Sequence, residues 1–547
     1  MLRSRRRSSA SLAAEGLPAQ YASPAALARP RHPDETKTGA DVPHPRRVIT
    51  AALGAALVTV LVACSPGADP SPPTAEPSST GAAPTEAAAG PVKDAPGVQL
   101  FQWTWDAISA ECTDVLGPAG YGFVLTSPPQ EHVLGPQWWT AYQPVSYRLE
   151  SRLGTREQLA DMVRTCREAG VDVIVDAVVN HMTGKDEPGA GWAGTPYQHY
   201  DYPGLYSDAE GDFHHCGLTP EDDIQRYTDA VQVQTCELVN LADLATGTER
   251  VRARIVAYLE DLLSLGVAGF RIDAAKHMPA ADVAAVVSAL PPGTRILQEV
   301  IGAREEPVQP ADYLPSGSVF DFSYGRELAG YVQGGALRHV PDLGTGSEAL
   351  PSGSAVVFVE NHDTERNGST LSYKDGDDHV LATVLMLAGR YGTPVVYSGY
   401  AFRDRDTGPA QDGSGAVVDA GCAADVAPGV DEAEGTWLCQ HRWDAVAGMV
   451  GWRRTVADAE VTDLWTERRV LAFGRGDRGF LVANGGEAEA TVTVATSMRP
   501  GTYCDVTTGG LSGSGCGGEE VTVEDDGALT VTVPGSGAVA IHSDARP

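Results

Sequence analysis

Short apolar runs that end in ionisable residues recur along the middle of the chain, and they constrain the fold more than any other feature. They lie at residues 122–126, 171–176, 269–273 and 355–359, and are rich in β-branched or aromatic residues. Amphipathic stretches with helical spacing, such as 156–169 and 249–265, lie between them. Strands that alternate with helices predict a parallel sheet of the α/β class. We expect a barrel whose functional side chains follow the C-terminal ends of the strands.

Changes in composition divide the chain into segments. Residues 65–95 are mostly Pro, Ser, Thr, Ala and Gly, which cannot bury enough apolar surface to fold, so they predict a linker. A Gly-, Tyr-, His- and Asp-rich stretch at about 182–245 interrupts the alternation and predicts an inserted lobe. From about 460, short strands with Gly and Asn-Gly turns predict a β-sandwich. The barrel would then occupy 96–459 and the sandwich 460–547.

The first 64 residues contain a segment typical of export signals. Arg46 and Arg47 precede a run of Ile, Ala, Leu and Val that ends at Cys64. The run is shorter than the roughly 20 residues of a membrane-spanning helix. It resembles the lipobox of bacterial lipoproteins, so we expect residues 1–64 to be an N-terminal extension and signal peptide, with lipidation of Cys64. The protein would be extracellular and lipid-anchored to the outer face of the membrane; plain secretion is the alternative.

Charge and cysteine content narrow the function classes. With 40 Lys and Arg against 72 Asp and Glu, the net charge of −32 repels phosphate backbones, which argues against nucleic acid as a partner. Removing Cys64 from the nine cysteines leaves eight, and an even count in an exported chain favours disulfides. Eight cysteines allow 105 connectivities, so the sequence alone does not fix the pairing.

Four segments place ionisable groups where barrel strands should end. They read DAVVNH from Asp176, GFRIDAAKH from Gly269, QEV from Gln298 and FVENHD from Phe358. One polar group at a strand end is more often a satisfied structural residue than a functional one. Four such segments in order along one barrel are difficult to explain by coincidence, and they predict a catalytic site.

These segments are similar to the four signature regions of the α-amylase family of glycoside hydrolases. The resemblance extends to 120–129, 138–147 and 501–505, covers 98–547, and is strongest to the branch with animal and actinobacterial enzymes. It implies a (β/α)8 TIM barrel with a lobe inserted after strand 3 and a C-terminal all-β Greek-key sandwich. It also implies a secreted retaining endo-hydrolase of internal α-1,4-glucosidic bonds in starch, glycogen and maltooligosaccharides, acting as a monomer.

The resemblance assigns three carboxylates to catalysis. Asp273 would be the nucleophile, Glu299 the general acid and base, and Asp363 a third carboxylate that binds ring hydroxyls. Clustered carboxylates raise the pKa of one member, which would keep Glu299 protonated. Arg271 lies two residues from Asp273 on the same side of a strand and would keep that residue ionised.

Further positions correspond to family contacts with the sugar. The expected substrate-binding residues are Trp139, Tyr142, Gln143, Asp176, His181, Arg271, Lys276, His277 and His362. Trp139 and Tyr142 would stack on sugar rings, whereas Trp138 is as easily explained as a core residue.

A calcium ion and four disulfides are implied as well. Asn180, Asp243 and the backbone carbonyls of His277 and Gln234 match the family's structural calcium site, and oxygen ligands suit that ion. Chloride is not expected, because Val395 stands where animal enzymes have a basic ligand. The implied disulfide pairs are Cys112–Cys166, Cys216–Cys236, Cys422–Cys439 and Cys504–Cys516.

Two alternatives remain open at this stage. One is a family member with a different product, such as a maltooligosaccharide-forming hydrolase or a transglycosidase, since the catalytic residues do not separate these. The other is a non-catalytic glucan-binding protein built on the same barrel, although such proteins typically lose a carboxylate and this chain has all three.

Overall fold

Eight parallel strands form a closed barrel in the computed structural model, which describes residues 95–422 and 432–547. The strands are β1 Gly97–Leu100, β2 Phe123–Thr126, β3 Asp172–Ala177, β4 Gly269–Ile272, β5 Arg295–Gln298, β6 Ser318–Phe320, β7 Ala355–Val357 and β8 Thr393–Ser398. Neighbours in sequence are neighbours in the barrel, and β8 closes on β1 with Gly97 opposite Val395. The predicted barrel is therefore confirmed. The signal peptide, Cys64 and residues 65–94 of the linker lie outside the described residues.

Helices follow the strands and cover the outside of the barrel. They are Trp105–Glu111, Arg156–Glu168, Glu249–Ser264, Ala280–Ala289, the 3-10 helix Pro310–Ser316, Phe322–Gln333, Asp377–Ala388 and Asp444–Val456. Helix Arg156–Glu168 begins with a capping box, in which Thr155 and Gln158 each accept the other's backbone N–H. Its buried face includes Leu159, Met162 and Val163, at the spacing expected for packing on a sheet.

Alternation along the strands decides which side chains enter the barrel. On β3, Val173 and Val175 pack outward against the helices, whereas Ile174 belongs to the apolar cluster inside the barrel. Asp176 is two residues beyond Ile174 and so points inward, and on β4 Arg271 pairs with it in register. Apolar side chains fill the middle of the barrel, Asp176 and Arg271 lie at its C-terminal end, and Asp172 and Arg295 form a separate charged pair at its N-terminal end.

The segment between β3 and helix Glu249–Ser264 has little regular structure. It contains two short hairpins, Gly189–Ala190 with Pro196–Tyr197 and Asp201–Tyr202 with Tyr206–Ser207, and the helix Ala230–Thr235. Its two ends meet: Met182 N–H donates to the Ala242 carbonyl, and Leu244 N–H donates to the Asn180 carbonyl. The lobe is thus attached to the barrel beside the C-terminal end of β3.

The C-terminal part consists of two packed antiparallel sheets. Its strands are β9 Val461–Glu467, β10 Val470–Arg475, β11 Gly479–Asn484, β12 Ala490–Ala495, β13 Gly501–Cys504, β14 Glu520–Val523, β15 Ala528–Val533 and β16 Gly537–His542. The sheet orders are β9-β10-β11-β16 and β12-β15-β14-β13. In the second sheet β12 lies beside β15 rather than β13, which is a Greek-key order. The predicted β-sandwich is confirmed.

Four disulfides join the eight described cysteines. The pairs are Cys112–Cys166, Cys216–Cys236, Cys422–Cys439 and Cys504–Cys516, which are the pairs that the family resemblance implies. In the same described ranges, no helix combines the length and apolar character needed to cross a membrane.

Candidate active site

One buried guanidinium holds three carboxylates at the C-terminal end of the barrel. Nη1 of Arg271 lies 2.6 Å from Oδ1 of Asp176 and 2.9 Å from Oδ1 of Asp273. Nη2 lies 3.1 Å from Oε1 of Glu299, at ion-pair distance but without hydrogen-bond alignment. The Arg271 side chain is only 3% exposed. The cation therefore compensates for the burial of the three acidic groups.

The backbone after β4 brings Asp273 and Glu299 side by side. Asp273 N–H donates to the carbonyl of Ala177, and the next residue, Ala274, has a left-handed conformation with φ of 49°. That conformation lets Ala274 N–H donate to Oε2 of Glu299 at 2.9 Å. Glu299 is thus fixed by Ala274 at one oxygen and approached by Arg271 at the other.

The pKa values of the carboxyl groups are raised by burial, to different extents. Burial raises the pKa of Asp273, while the charge and hydrogen bond of Arg271 lower it. Burial also raises the pKa of Glu299, and the negative charge of Asp273 raises it further. Because Arg271 donates a hydrogen bond to Asp273 but only approaches Glu299, we infer that Asp273 ionises first and that Glu299 retains its proton longer. Burial raises the pKa of Asp176 to about 7, which Arg271 opposes.

His362 and Asp363 complete the charged cluster from the loop after β7. Oδ1 of Asn361 accepts the N–H groups of Asp363 and Thr364 at 3.0 and 2.8 Å, which shapes the turn. Nε2 of His362 lies 3.3 Å from Oδ2 of Asp363. Burial and the neighbouring Glu299 raise the pKa of Asp363 well above its usual range.

The His362 imidazole is held between two aromatic rings. Its centroid lies 4.8 Å from that of Phe101 and 5.0 Å from that of Tyr142, with both pairs stacked. Nδ1 of His362 lies 3.2 Å from the side-chain nitrogen of Gln99, on β1. Tyr142 donates its hydroxyl to Oδ2 of Asp176 at 2.9 Å, so the column of rings is connected to the carboxylate cluster.

A cleft of about 830 Å³ opens above these groups. Its lining residues are Trp138, Trp139, Tyr142, Gln143, His181, Leu238, Val239, Leu241, Asp273, Ala274, Glu299, His362, Asp363, Arg366, Asn367, Arg403, Asp404, Arg405 and Asp406. All three expected catalytic carboxylates therefore face one cavity. Trp138 is 7% exposed and contacts Phe101 edge-on, so it contributes to both core and cleft. The Nζ of Lys185 lies 5.2 Å from the Trp139 ring centroid.

The other residues expected to contact the substrate do not all line the cleft. Gln143 and His181 line the cleft, although Nε2 of His181 is 3.0 Å from the Tyr142 carbonyl and Oε1 of Gln143 accepts from Thr183. Asp176 and Arg271 lie beneath the cleft. Lys276 donates from Nζ to Ile301 O and Glu306, both at 2.6 Å. His277 contacts the Val233 carbonyl through Nδ1 at 3.0 Å. The structure thus places Lys276 and His277 beside the lining rather than in it.

Sequence reasoning missed three parts of the cleft, one of which is the run Arg403, Asp404, Arg405 and Asp406. Arg366 lies in the short helix Thr364–Asn367 and has its guanidinium between 4.4 and 5.4 Å from the rings of Phe101, Trp138, Tyr400 and Phe402. Arg366 follows His362 by about one helical turn, and this spacing could have indicated that its side chain lies near the cleft. The apolar wall of Leu238, Val239 and Leu241 belongs to the inserted lobe, and no sequence signal indicated that it faces the barrel.

The donor set expected for calcium fits an oxygen-binding cation. Oδ1 of Asn180 is buried and has no hydrogen-bond partner, which is unfavourable for an amide oxygen unless a cation or water binds it. Asp243 is paired across an isolated β-bridge with His181, and burial raises the pKa of this carboxyl to about 6. Within the described ranges no three His, Cys, Asp or Glu side chains form a metal cluster, so a cation here would combine the Asp243 carboxylate with amide and carbonyl oxygens.

Val395, which stands where animal enzymes have a basic chloride ligand, has an apolar environment. Val395 is 3% exposed and packs with Phe123, Leu125 and Val356 inside the barrel. The expectation that chloride is not bound stays a prediction.

Comparisons with known proteins agree with this architecture. Residues 138–300 match the family model described as the α-amylase catalytic domain, and 465–544 match that of the α-amylase C-terminal all-β domain. An α-amylase of Streptomyces violaceus is 45% identical over 448 residues, covering 82% of this chain and 73% of the relative. An α-amylase of Tenebrio molitor is 38% identical over 470 residues, covering 82% and 97%.

Solved structures are similar as well. The crystal structure of wild-type α-amylase I from Eisenia fetida has a TM-score of 0.76 at 32% identity, covering 82% of this chain and 97% of the other. A variant of that enzyme in complex with maltohexaose has a TM-score of 0.77 at the same identity and coverage.

Proposed function

The chain belongs to the α-amylase family and is a starch-hydrolysing enzyme of that family, and on this premise we propose that it cleaves internal α-1,4-glucosidic bonds with retention of configuration. The observation that carries the proposal is that Asp273 and Glu299 face one cleft and contact neighbouring nitrogens of the same guanidinium. Retaining hydrolases need their two carboxyl groups about 5 Å apart, so that one attacks the sugar directly. The shared contact with Arg271 supports this short separation.

In the first step Asp273 attacks the anomeric carbon while Glu299 protonates the glucosidic oxygen. The bond between that carbon and oxygen breaks, the shortened glucan leaves as an alcohol, and a covalent glycosyl ester forms on Asp273. The difference between the two carboxyl groups supports these roles. Asp273 has the direct hydrogen bond from Arg271, and Glu299 has a pKa raised by burial and by the charge of Asp273.

In the second step Glu299, now ionised, removes a proton from water as the water oxygen attacks the anomeric carbon, and the bond between that carbon and the Asp273 carboxylate oxygen breaks. The Asp273 carboxylate and the protonated Glu299 are restored, and two inversions give net retention. Asp363 and His362 would bind hydroxyls of the distorted sugar and stabilise the positive charge that develops on the ring.

The shape of the cleft supports internal cleavage of a polymer. Trp139 and Tyr142 provide aromatic faces for sugar rings, and Leu238 and Val239 add apolar lining to the same cleft. A relative whose structure resembles this one binds maltohexaose, a linear oligomer. We therefore propose an endo-acting enzyme for starch, glycogen and maltooligosaccharides.

Calcium would join the inserted lobe to the barrel. Asn180 and Asp243, with the carbonyls of Gln234 and His277, would hold it, and the ion would supply a fixed positive charge between the two parts. The buried Asn180 oxygen without a partner supports this assignment. The ion would act on stability rather than on bond cleavage.

An extracellular location is part of the proposal. Four disulfides favour an oxidising compartment. The segment that ends at Cys64 resembles a lipoprotein signal, so we propose lipid anchoring at that residue. Fractionation of cells that express the wild type or Cys64→Ser tests the anchor: loss of the protein from the membrane fraction on substitution supports it, and unchanged distribution contradicts it.

Hydrolysis of soluble starch by the wild type, Asp273→Asn and Glu299→Gln tests the catalytic assignment. The wild type should release mixed short maltooligosaccharides, and each substitution should lower kcat by about 1,000-fold or more, because it removes the nucleophile or the proton donor. Asp172→Asn is the matched control, since Asp172 is a carboxylate at the opposite end of β3. Folded variants that retain near-wild-type kcat would overturn the roles of Asp273 and Glu299.

A further inference from the structure

The two ring nitrogens of His362 face partners of different chemistry. Nε2 lies 3.3 Å from a carboxylate oxygen of Asp363, and Nδ1 lies 3.2 Å from the side-chain nitrogen of Gln99. A neutral imidazole has one N–H donor and one acceptor nitrogen. The amide nitrogen of Gln99 only donates, so Nδ1 is the acceptor and the hydrogen belongs on Nε2.

The environment keeps this imidazole uncharged. The ring is 2% exposed, and the charged groups that face it are the guanidiniums of Arg271 and Arg366 and the carboxylate of Asp363. Burial lowers the pKa of His362 well below its usual range, and the two guanidiniums lower it further. In a neutral ring, the hydrogen bond at one nitrogen determines which nitrogen carries the proton.

Gln99 is well placed to exert that control. It is 4% exposed and belongs to β1, where it pairs in register with Tyr397 on β8 and Leu125 on β2. A residue held by two neighbouring strands has little freedom to move away from the ring. The opposite amide orientation would place the Gln99 carbonyl oxygen beside Nδ1 and would require the hydrogen on Nδ1 instead.

We propose that Gln99 is a positioning residue that fixes His362 in the Nε2–H tautomer, so that a donor faces Asp363 and the sugar hydroxyls beside it. The inference rests on the proposed function, because it concerns the residue that would bind those hydroxyls. Gln99 itself acts only through His362. If Gln99 only filled space in the barrel, an apolar side chain of similar volume would replace it. If it positions His362, the hydrogen bond from its amide is required.

Two substitutions whose side chains are similar in size to glutamine distinguish these two roles. Gln99→Leu keeps the volume and removes the hydrogen bond, so both tautomers of His362 become populated. Gln99→Glu introduces a group that can share a proton with Nδ1. At low pH that proton is present and Nε2 keeps its hydrogen, whereas at higher pH the carboxylate draws the remaining ring proton to Nδ1.

The experiment combines ¹⁵N NMR of selectively ¹⁵N-histidine-labelled full-length protein with kinetics on maltooligosaccharides. His362→Gln assigns the resonances. The wild type should show Nε2 protonated and Nδ1 unprotonated, and Gln99→Leu should show a mixture and a kcat lowered about tenfold with KM within twofold. Gln99→Glu should be active at low pH and lose kcat on the alkaline side, where the wild type does not.

Gln99→Leu with an unchanged tautomer and unchanged kcat would overturn the proposal, as would a Gln99→Glu pH profile that matches the wild type. Thermal unfolding shows whether each variant is folded, and either variant alone tests the proposal. Failure of the proposed function is a distinct result: the wild type would then not cleave starch, whatever the tautomer of His362.

Discussion

At the scale of single residues, Arg271 is the centre of the site's electrostatics. It contacts Asp176 and Asp273 by hydrogen bonds and approaches Glu299, all within the barrel. Its charge lowers the pKa of each of these carboxyl groups and of Asp363, against the effect of burial. A cation of this kind stabilises the ionised nucleophile from beneath the cleft lining.

Substituting Arg271 should therefore shift the pH dependence of activity. Arg271→Gln removes the charge that lowers the pKa of Asp273, so that pKa rises and the nucleophile is protonated over a wider acidic range. The acidic limb of kcat/KM should move upward by about one pH unit or more, whereas Arg271→Lys should move it less. Arg295→Gln, at the opposite end of the barrel, is the control. An acidic limb that stays in place in folded Arg271→Gln would contradict this account of the cluster.

The sequence indicated the carboxylates but not every group that acts on them. Asp273 and Glu299 directly follow recognisable strands, so their convergence follows from the barrel topology. The contact between Gln99 and His362 joins residues 263 positions apart, and it depends on how two side chains meet across the barrel. Arg366 was missed because its importance comes from four aromatic rings contributed by distant segments.

At the scale of elements, the inserted lobe is the part whose secondary structure is predicted least well by local sequence patterns. The four strands and two helices whose bounds were predicted end within about two residues of those bounds, because their hydrophobic patterns are strong. Apart from short helices such as Ala230–Thr235, the lobe consists of two-residue strands and turns, which leave no periodicity to detect. Val239 and Asn240 at the cleft rim both have left-handed backbone conformations, which is unfavourable for a β-branched valine. Contacts with surrounding residues must therefore stabilise this backbone conformation at the cleft rim.

Calcium removal tests how the lobe is held. A chelator should lower the Tm of the wild type by about 5 °C or more, because an ion that binds only the folded state stabilises it. Asp243→Asn should lower the Tm and reduce the effect of the chelator, since it removes the only carboxylate assigned to the ion. Asp201→Asn, an exposed carboxylate of the same lobe, is the control. Equal chelator effects in wild type and Asp243→Asn would argue against this ligand set.

At the scale of the whole molecule, the barrel and the β-sandwich share a buried interface. Trp452, in the last barrel helix, is fully buried and donates its indole N–H to the Ile541 carbonyl on β16 at 2.9 Å. In the same helix a Cβ on Gly448 would lie 1.9 Å from the Val506 carbonyl oxygen, so only glycine permits this approach. Arg475 on β10 donates to the Ala388 carbonyl of the barrel at 3.0 Å.

Trp452→Ala should destabilise the protein as a whole. Loss of this buried indole should lower the free energy of unfolding by about 3 to 5 kcal/mol, with both parts unfolding together. Trp139→Ala is the matched control: it removes a cleft tryptophan and should weaken substrate binding with little change in Tm. Calorimetry measures both effects. A barrel that unfolds unchanged in Trp452→Ala while only the sandwich is lost would contradict a shared core.

The central claim is that Asp273 and Glu299 hydrolyse α-glucosidic bonds with retention, and the anomeric form of the first product tests it most directly. ¹H NMR during the first minutes of maltooligosaccharide hydrolysis, before mutarotation, distinguishes the two anomers at the new reducing end. Double displacement predicts α-anomeric product from the wild type and none from Asp273→Asn. Initial formation of the β-anomer would contradict the double displacement and the roles given to both carboxylates.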